Sequence, residues 1–168
     1  MPAPATLRIA PAAPGNIVHL IEMIGELAAF EHLSHLLECT EEKLQAALFG
    51  PRPCIEALIG WVDDPAPQAV AYTICFQNYS TFLGRPGLYL EDLYVRPAWR
   101  QRGHARSMLT HLAALAVERG CGRFEWSVLD WNTGAQDFYR GLGAEVLPDW
   151  RITRLTGKAL ERLAGNRS

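Results

Sequence analysis

Between residues 88 and 105 the chain reads LYLEDLYVRPAWRQRGHA, an apolar run that closes on a glycine-containing turn and opens onto Met108, Leu109, Leu112, Leu115 and Ala116 at helical spacing. The pattern predicts a strand over Leu88 to Val95, a tight turn, and a long helix over Gly103 to Arg119 with Gly120 at its C-terminal cap. Such a junction suits an anion. The first N–H groups of a helix have no intrahelical partner and sit at the positive end of its dipole, so a loop that gathers them fits a phosphate or pyrophosphate. Arg100, Gln101, Arg102, Gly103, His104 and Ala105 make up that loop, and Arg106 follows in the helix. Gly103 lacks a Cβ and lets a ligand come close, while Arg100 and Arg102 add positive charge and hydrogen-bond donors.

The rest of the chain restricts the setting. A length of 168 residues, with no Pro/Ser-rich linker or change of composition, predicts a single domain over 1–168 with a core of about 6–164. The formal net charge of -2 argues against a general nucleic-acid binder, which needs clustered Lys and Arg. Cys39, Cys54, Cys75 and Cys121 are scattered without a C-x-x-C pair and read as buried thiols, and His19, His32, His35, His104 and His111 match no ligand motif, so no metal is expected. No run of eighteen apolar residues and no apolar leader is visible, which predicts a soluble cytoplasmic protein with no membrane partner.

Periodicity places a first strand at Leu7 to Ala10 and a helix from Pro14 to Glu31, with Ile17, Leu20, Ile21, Ile24, Leu27 and Ala28 on one face. Thr40 reads as the N-cap of a second helix ending near Phe49, with Glu41 and Glu42 where the dipole favours acids. Strands over Cys54 to Val62 and Ala69 to Gln77 flank a turn at Asp63-Asp64-Pro65-Ala66-Pro67. Beyond the long helix come a strand over Arg123 to Leu129, a helix over Ala135 to Leu142, short strands at Glu145 to Leu147 and Arg151 to Leu155, and a closing helix over Thr156 to Ala164. By pattern alone this is α/β or α+β.

Arg100-x-x-Gly103-x-Ala105 after an apolar strand resembles the R/Q-x-x-G-x-G/A signature of the GNAT superfamily of N-acetyltransferases, in which it holds the acetyl-CoA pyrophosphate. The segment ERGCGRFEWSVLDWNTGAQDFYRGLGAE is similar to the diamine (spermidine/spermine) branch, and Phe30-Glu31 near the start and Trp150-Arg151 near the end extend the resemblance over almost the whole chain. The resemblance implies a mixed, mostly antiparallel sheet with two splayed central strands, flanked by helices. It places the pantetheine arm of acetyl-CoA along the backbone of Leu93, Tyr94 and Val95, with Asn132 and Tyr139 completing the cofactor site. It also implies a homodimer.

Acetyl transfer to an amine needs a neutral nucleophile, and a free alkyl amine, with a pKa of about 10.4, arrives protonated. Glu91, preferred over its neighbour Asp92, is the expected base, its pKa raised by burial; the plainer role for either is to tether a loop or pair with an arginine. Tyr139 sits at the family's tyrosine position and is the expected acid toward the departing thiolate; without the resemblance it reads as a core aromatic beside Phe138. The acceptor is expected to be a small primary amine, bound by Phe30, Glu31, Ser80, Phe82, Glu91, Asp92, Asp149 and Trp150. Ser80 stands where polyamine enzymes place an acid and Phe82 where they place Trp, which looks more like relatives acting on thialysine-type amino acids. The alternatives are an acetyltransferase of protein lysines, N-termini or antibiotics, and a noncatalytic acyl-CoA sensor that would need neither Glu91 nor Tyr139.

Overall fold

A computed structural model describes residues 6–165, which fall into two units, one running to Ser127 and one from Val128. The first holds β1 (Arg8–Pro11), α1 (Ile17–Phe30), α2 (Glu41–Phe49), β2 (Glu56–Asp63), β3 (Pro67–Ser80), β4 (Arg85–Val95), α3 (His104–Glu118) and β5 (Arg123–Trp126). The five strands form one sheet in the order β1-β2-β3-β4-β5, antiparallel throughout except for the parallel β4/β5 pair. This is the mixed, mostly antiparallel architecture that the resemblance implies.

Local chemistry sets the helices. A 3-10 turn at Pro14–Asn16 leads into α1, and the Asn16 side chain accepts from the Ala13 N–H at 2.9 Å. Thr40 caps α2 by accepting from the Lys43 N–H at 3.3 Å, and Glu41 and Glu42 occupy its first turn as expected. One face of the sheet, carrying Ala57, Ile59, Ala69, Tyr72, Ile74 and Tyr94, buries Ile17, Leu20, Met23 and Ile24 of α1 and Leu44 and Leu48 of α2. Met23 joins the face predicted for α1, and Ile21 and Leu27 pack at its margin. The opposite face lies against α3, where a Cβ on Gly60 would meet the Met108 sulfur at 3.3 Å. The side chain of Arg119, just past α3, grips Glu56 of β2 through two bonds of 2.6 and 2.7 Å.

A bulge in β4 divides that strand into two parts. Cys75 faces Leu90 and Ile74 faces Asp92, so Glu91 is the extra residue without a cross-strand partner. Residues opposite one another in a ladder share a face, so the insertion sends Leu90 to the α3 side and Asp92 to the α1 side, which strict alternation would not do. β5 pairs with β4 only from Gly87↔Arg123 to Leu90↔Trp126 and stops where the bulge begins. The strand predicted to reach Leu129 therefore ends at Trp126, because the bulged strand bends away from it. The pairing of β4 with β5 thus ends early, and β5 is the edge of the described sheet rather than a central strand.

The second unit contains α4 (Thr133–Arg140) and α5 (Gly157–Gly165). The strands predicted at Glu145 to Leu147 and Arg151 to Leu155 are irregular instead. A strand needs a neighbour's backbone, and neither segment has one among the described residues; Leu147, Ile152 and Leu155 are exposed there. The cysteines also depart from expectation: all four are free thiols, yet only Cys75 is buried and Cys54 is exposed.

Candidate active site

The loop between β4 and α3 is set by backbone conformation. Gln101 (φ 59°) and Gly103 (φ 84°) both adopt left-handed dihedrals on either side of Arg102. A Cβ on Gly103 would meet nothing within 4 Å, so glycine is favoured here by dihedral rather than by space within the chain. The Ser107 N–H bonds back to the Gly103 carbonyl at 3.0 Å, which leaves the N–H groups of His104, Ala105 and Arg106 as the orphan donors of α3. With the helix dipole, these donors give the start of α3 a positive end, which suits an anion.

Two of the loop's side chains, those of Arg100 and His104, face inward, while Gln101, Arg102 and Arg106 are exposed. Arg100 donates from Nε to the Val95 carbonyl at 2.9 Å, and its guanidinium lies over the rings of Phe30 (4.8 Å) and Tyr94 (5.5 Å). It thereby fastens the end of α1 to the end of β4. Arg102 stacks over Trp99 at 4.7 Å. The His104 side chain is buried, 6.2 Å from the Trp99 ring, and burial together with Arg102 holds its pKa below the usual imidazole value. Only its backbone is placed to serve an anion at the helix start.

Leu93, Tyr94 and Val95 pair with Thr73, Tyr72 and Ala71 on the β3 side, while past Leu90 the other edge of β4 has no strand beside it among the described residues. That edge retains backbone donors and acceptors for an extended amide-bearing arm.

Carboxylates gather beside this edge. Asp92 is half-buried, and Tyr72, itself completely buried, donates from its hydroxyl to Asp92 Oδ2 at 3.1 Å. Burial pushes the Asp92 carboxyl up to about 6; the Tyr72 bond pulls against this, and the charges of Glu91 and Glu31 add to the rise. Burial also raises Glu31, which caps the C-terminus of α1. The Tyr72 phenol is driven far above its ordinary range, first by burial and then by Asp92, so it stays protonated at any working pH. Glu91, the bulge residue, is exposed, and the burial expected of it falls on Asp92.

Sequence reasoning missed two residues that organise this region. Tyr72 lies in the apolar run AVAYTICF, where its phenol was the only polar side-chain signal apart from Thr73 and Cys75. Arg96 hydrogen-bonds Glu22 and forms an ion pair with Glu26 of α1, at 3.1 Å each, a second tie between α1 and the end of β4.

The other expected site residues have separate settings. Ser80 is buried and accepts from the Leu83 N–H at 3.2 Å, closing the β3–β4 turn, while Phe82 at the tip of that turn is 98% exposed. In the second unit Asn132 caps α4 by accepting from the Ala135 N–H at 3.2 Å. Tyr139 is half-buried on α4, its ring 5.4 Å from Phe138, and Asp149 and Trp150 are exposed.

The strand-bulge-loop-helix arrangement agrees with the sequence family. Residues 21–144 match the Acetyltransferase (GNAT) family, and the chain belongs to it. It is 38% identical over 170 residues to the thialysine N-epsilon-acetyltransferase of Mus musculus, covering 96% of this chain and 99% of that protein. It is 30% identical over 198 residues to the L-ornithine N5-acetyltransferase NATA1 of Arabidopsis thaliana, covering 93% of this chain and 87% of that one. An integron cassette protein of V. cholerae shares the fold at a TM-score of 0.78 and 20% identity, covering 94% of this chain and 97% of its own.

Proposed function

We propose that this acetyltransferase uses acetyl-CoA to acetylate a primary amine of a small molecule, either a diamine or polyamine or a thialysine-like amino acid. The observation that carries the reading is the half-buried Asp92 carboxylate, flanked by Glu31 and Glu91, on the strand that leads directly into the glycine-containing loop. Relatives named for thialysine and ornithine, both amino acids with a side-chain amine, support the acceptor class. The family match spans both units, which supports treating the chain as one functional domain.

In this reading the N–H groups of His104, Ala105 and Arg106, in the loop shaped by Gln101 and Gly103, hold the cofactor phosphates, with Arg102 adding charge. The free edge of Leu93 to Val95 and Asn132 hold its arm. Acetyl-CoA, when bound, supplies the activated acyl thioester. Glu31 and Asp92 attract the ammonium form of the acceptor, and Asp92, ionised above a pH of about 6, takes its proton. The base assignment thus moves from Glu91 to its half-buried neighbour, with Glu91 contributing charge from the bulge. Tyr139 donates a proton to the departing sulfur. Phe30, Ser80, Phe82, Asp149 and Trp150 complete the acceptor contacts. The same reading takes the enzyme as a homodimer, consistent with Trp150 and Ile152 being 74% and 71% exposed.

The test is release of CoA thiol from acetyl-CoA across putrescine, spermidine, ornithine, thialysine, lysine, a lysine peptide and an aminoglycoside. Turnover with a kcat/KM preference for one of the small amines is expected. Preference for the peptide or the aminoglycoside would replace the acceptor class, and acetyl-CoA binding without turnover of any amine would make the chain a sensor.

A further inference from the structure

Tyr72 lies outside the loop, the carboxylates and the second unit, yet it is the only side chain seen to hydrogen-bond Asp92 among the described residues. Its position is fixed from within the core. It is fully buried, it faces Ile59 on β2 and Tyr94 on β4, and its ring lies 6.3 Å from that of Tyr94. The β4 bulge at Glu91 brings Asp92 onto the same face, diagonal to Tyr72, so the hydroxyl reaches Oδ2 at 3.1 Å. An aspartate in regular alternation would point to the other side of the sheet.

We propose that Tyr72 is a positioning residue for acetyl transfer, its buried hydroxyl fixing the Asp92 carboxylate in one orientation. Oδ2 is engaged by the phenol, which leaves Oδ1 to receive the amine proton. A carboxylate free to rotate would present either oxygen in many directions, and a productive proton transfer needs hydrogen-bond geometry. The phenol is suited to this because it cannot compete for the proton. Held far above its ordinary pKa, it donates to the carboxylate at every pH at which the enzyme works.

The bond also acts on ionisation. Among the described residues Asp92 faces four titratable groups: Glu91 beside it on β4, Glu31 at the end of α1, Cys39 between α1 and α2, and Tyr72 on β3. Glu31, Glu91 and burial all favour the neutral acid. Among the described residues Tyr72 is the one neighbour that stabilises the carboxylate, and without it the proton would be held to higher pH.

This inference rests on Asp92 being the base, and the experiment separates the two. In Tyr72→Phe the ring stays and only the hydroxyl is lost. Carboxyl ¹³C NMR titration of Asp92, assigned through Asp92→Asn, should move upward by roughly one pH unit relative to wild type, the expected effect of losing one hydrogen bond to a charged group. The acid limb of kcat/KM should move by the same amount, giving about a fivefold loss at pH 6, with acetyl-CoA affinity unchanged. A merely structural role for the phenol would lower Tm and leave both titrations in place. An unmoved NMR titration overturns the inference even if Asp92→Asn abolishes the limb and so upholds Asp92 as base. An NMR titration that moves while the kinetic limb does not overturns Asp92 as base, and the positioning role with it.

Discussion

The loop from Arg100 to Arg106 and the carboxylates around Asp92 belong to one strand-turn-helix segment, yet they are made from different materials. The loop is backbone: two left-handed residues, Gln101 and Gly103, and the orphan N–H groups of α3. Arg100 turns inward onto Val95, Phe30 and Tyr94, while Arg102 stays exposed and stacks over Trp99. The acidic cluster is side chain: Asp92 from β4, Tyr72 from β3 and Glu31 from the end of α1, assembled only when the sheet and helix pack. A diphosphate requires several donors in a fixed array, which a short stretch of backbone can present by itself. Tuning one carboxyl requires burial and a chosen neighbour, which only tertiary structure gives.

The sharpest test of the side-chain half is Asp92→Asn. Loss of a general base lowers turnover by about a hundredfold or more, and the acid limb of kcat/KM should vanish with it. Stability should change in the opposite sense. Because burial raises the Asp92 pKa in the folded chain, its contribution is fully present below the unfolded value near 3.9 and is lost as pH rises through about 6. Asp92→Asn should therefore be more stable than wild type in denaturant titrations at pH 7.5, with the advantage fading below pH 4. Equal turnover, or a stability gain that persists at pH 3.5, would break the claim that Asp92 is a half-buried ionised base.

Tyr139→Phe extends the comparison to the second unit. If the tyrosine serves as the acid, kcat should fall by about a hundredfold, the lower end of the range for proton-transfer catalysis, while calorimetric affinity for acetyl-CoA stays near wild type. A loss confined to acetyl-CoA affinity would instead assign Tyr139 to binding, alongside the loop.

What was legible in the sequence divides along the same line. The loop could be read from Arg100-x-x-Gly103-x-Ala105 because a left-handed glycine before a helix leaves a mark in one short stretch of chain. Thr40 at the start of α2 was legible for the same local reason. The carboxylates were half legible: LYLEDLYV offered two adjacent acids, but alternation alone could not foresee the bulge that exposes Glu91 and turns Asp92 toward α1. Tyr72 was hidden in an apolar run because its partner is twenty residues away. The strands predicted after residue 144 but not formed fail on the same point, since Val146, Leu147 and Ile152 carry strand-like composition without a neighbouring backbone to pair with among the described residues.

For the backbone half, Gly103→Ala separates dihedral from bulk. Nothing lies within 4 Å of the added Cβ, so an effect of intrachain crowding would be absent, whereas a non-glycine residue at φ 84° costs roughly 1–2 kcal/mol. Relaxation of the loop out of that conformation should weaken acetyl-CoA binding by about tenfold by calorimetry, with the turnover at saturation little changed. Wild-type affinity in Gly103→Ala would mean that the left-handed turn is not what holds the phosphates.

Gln101→Gly should have the smallest effect. Gln101 is a non-glycine residue at φ 59°, and its side chain is exposed. Glycine would relieve left-handed strain of roughly 1 kcal/mol but enlarge the freedom of the unfolded chain by roughly 0.5–1 kcal/mol, so the two nearly cancel and Tm should hardly move. If the loop binds through its backbone, removing the whole glutamine side chain should leave acetyl-CoA affinity within about twofold of wild type, because the orphan N–H groups of His104, Ala105 and Arg106 remain in place. A tenfold loss at unchanged Tm would show that the amide of Gln101 contacts the cofactor directly. The loop would then share the side-chain construction of the acidic cluster, and the distinction between the two halves of the segment would fall.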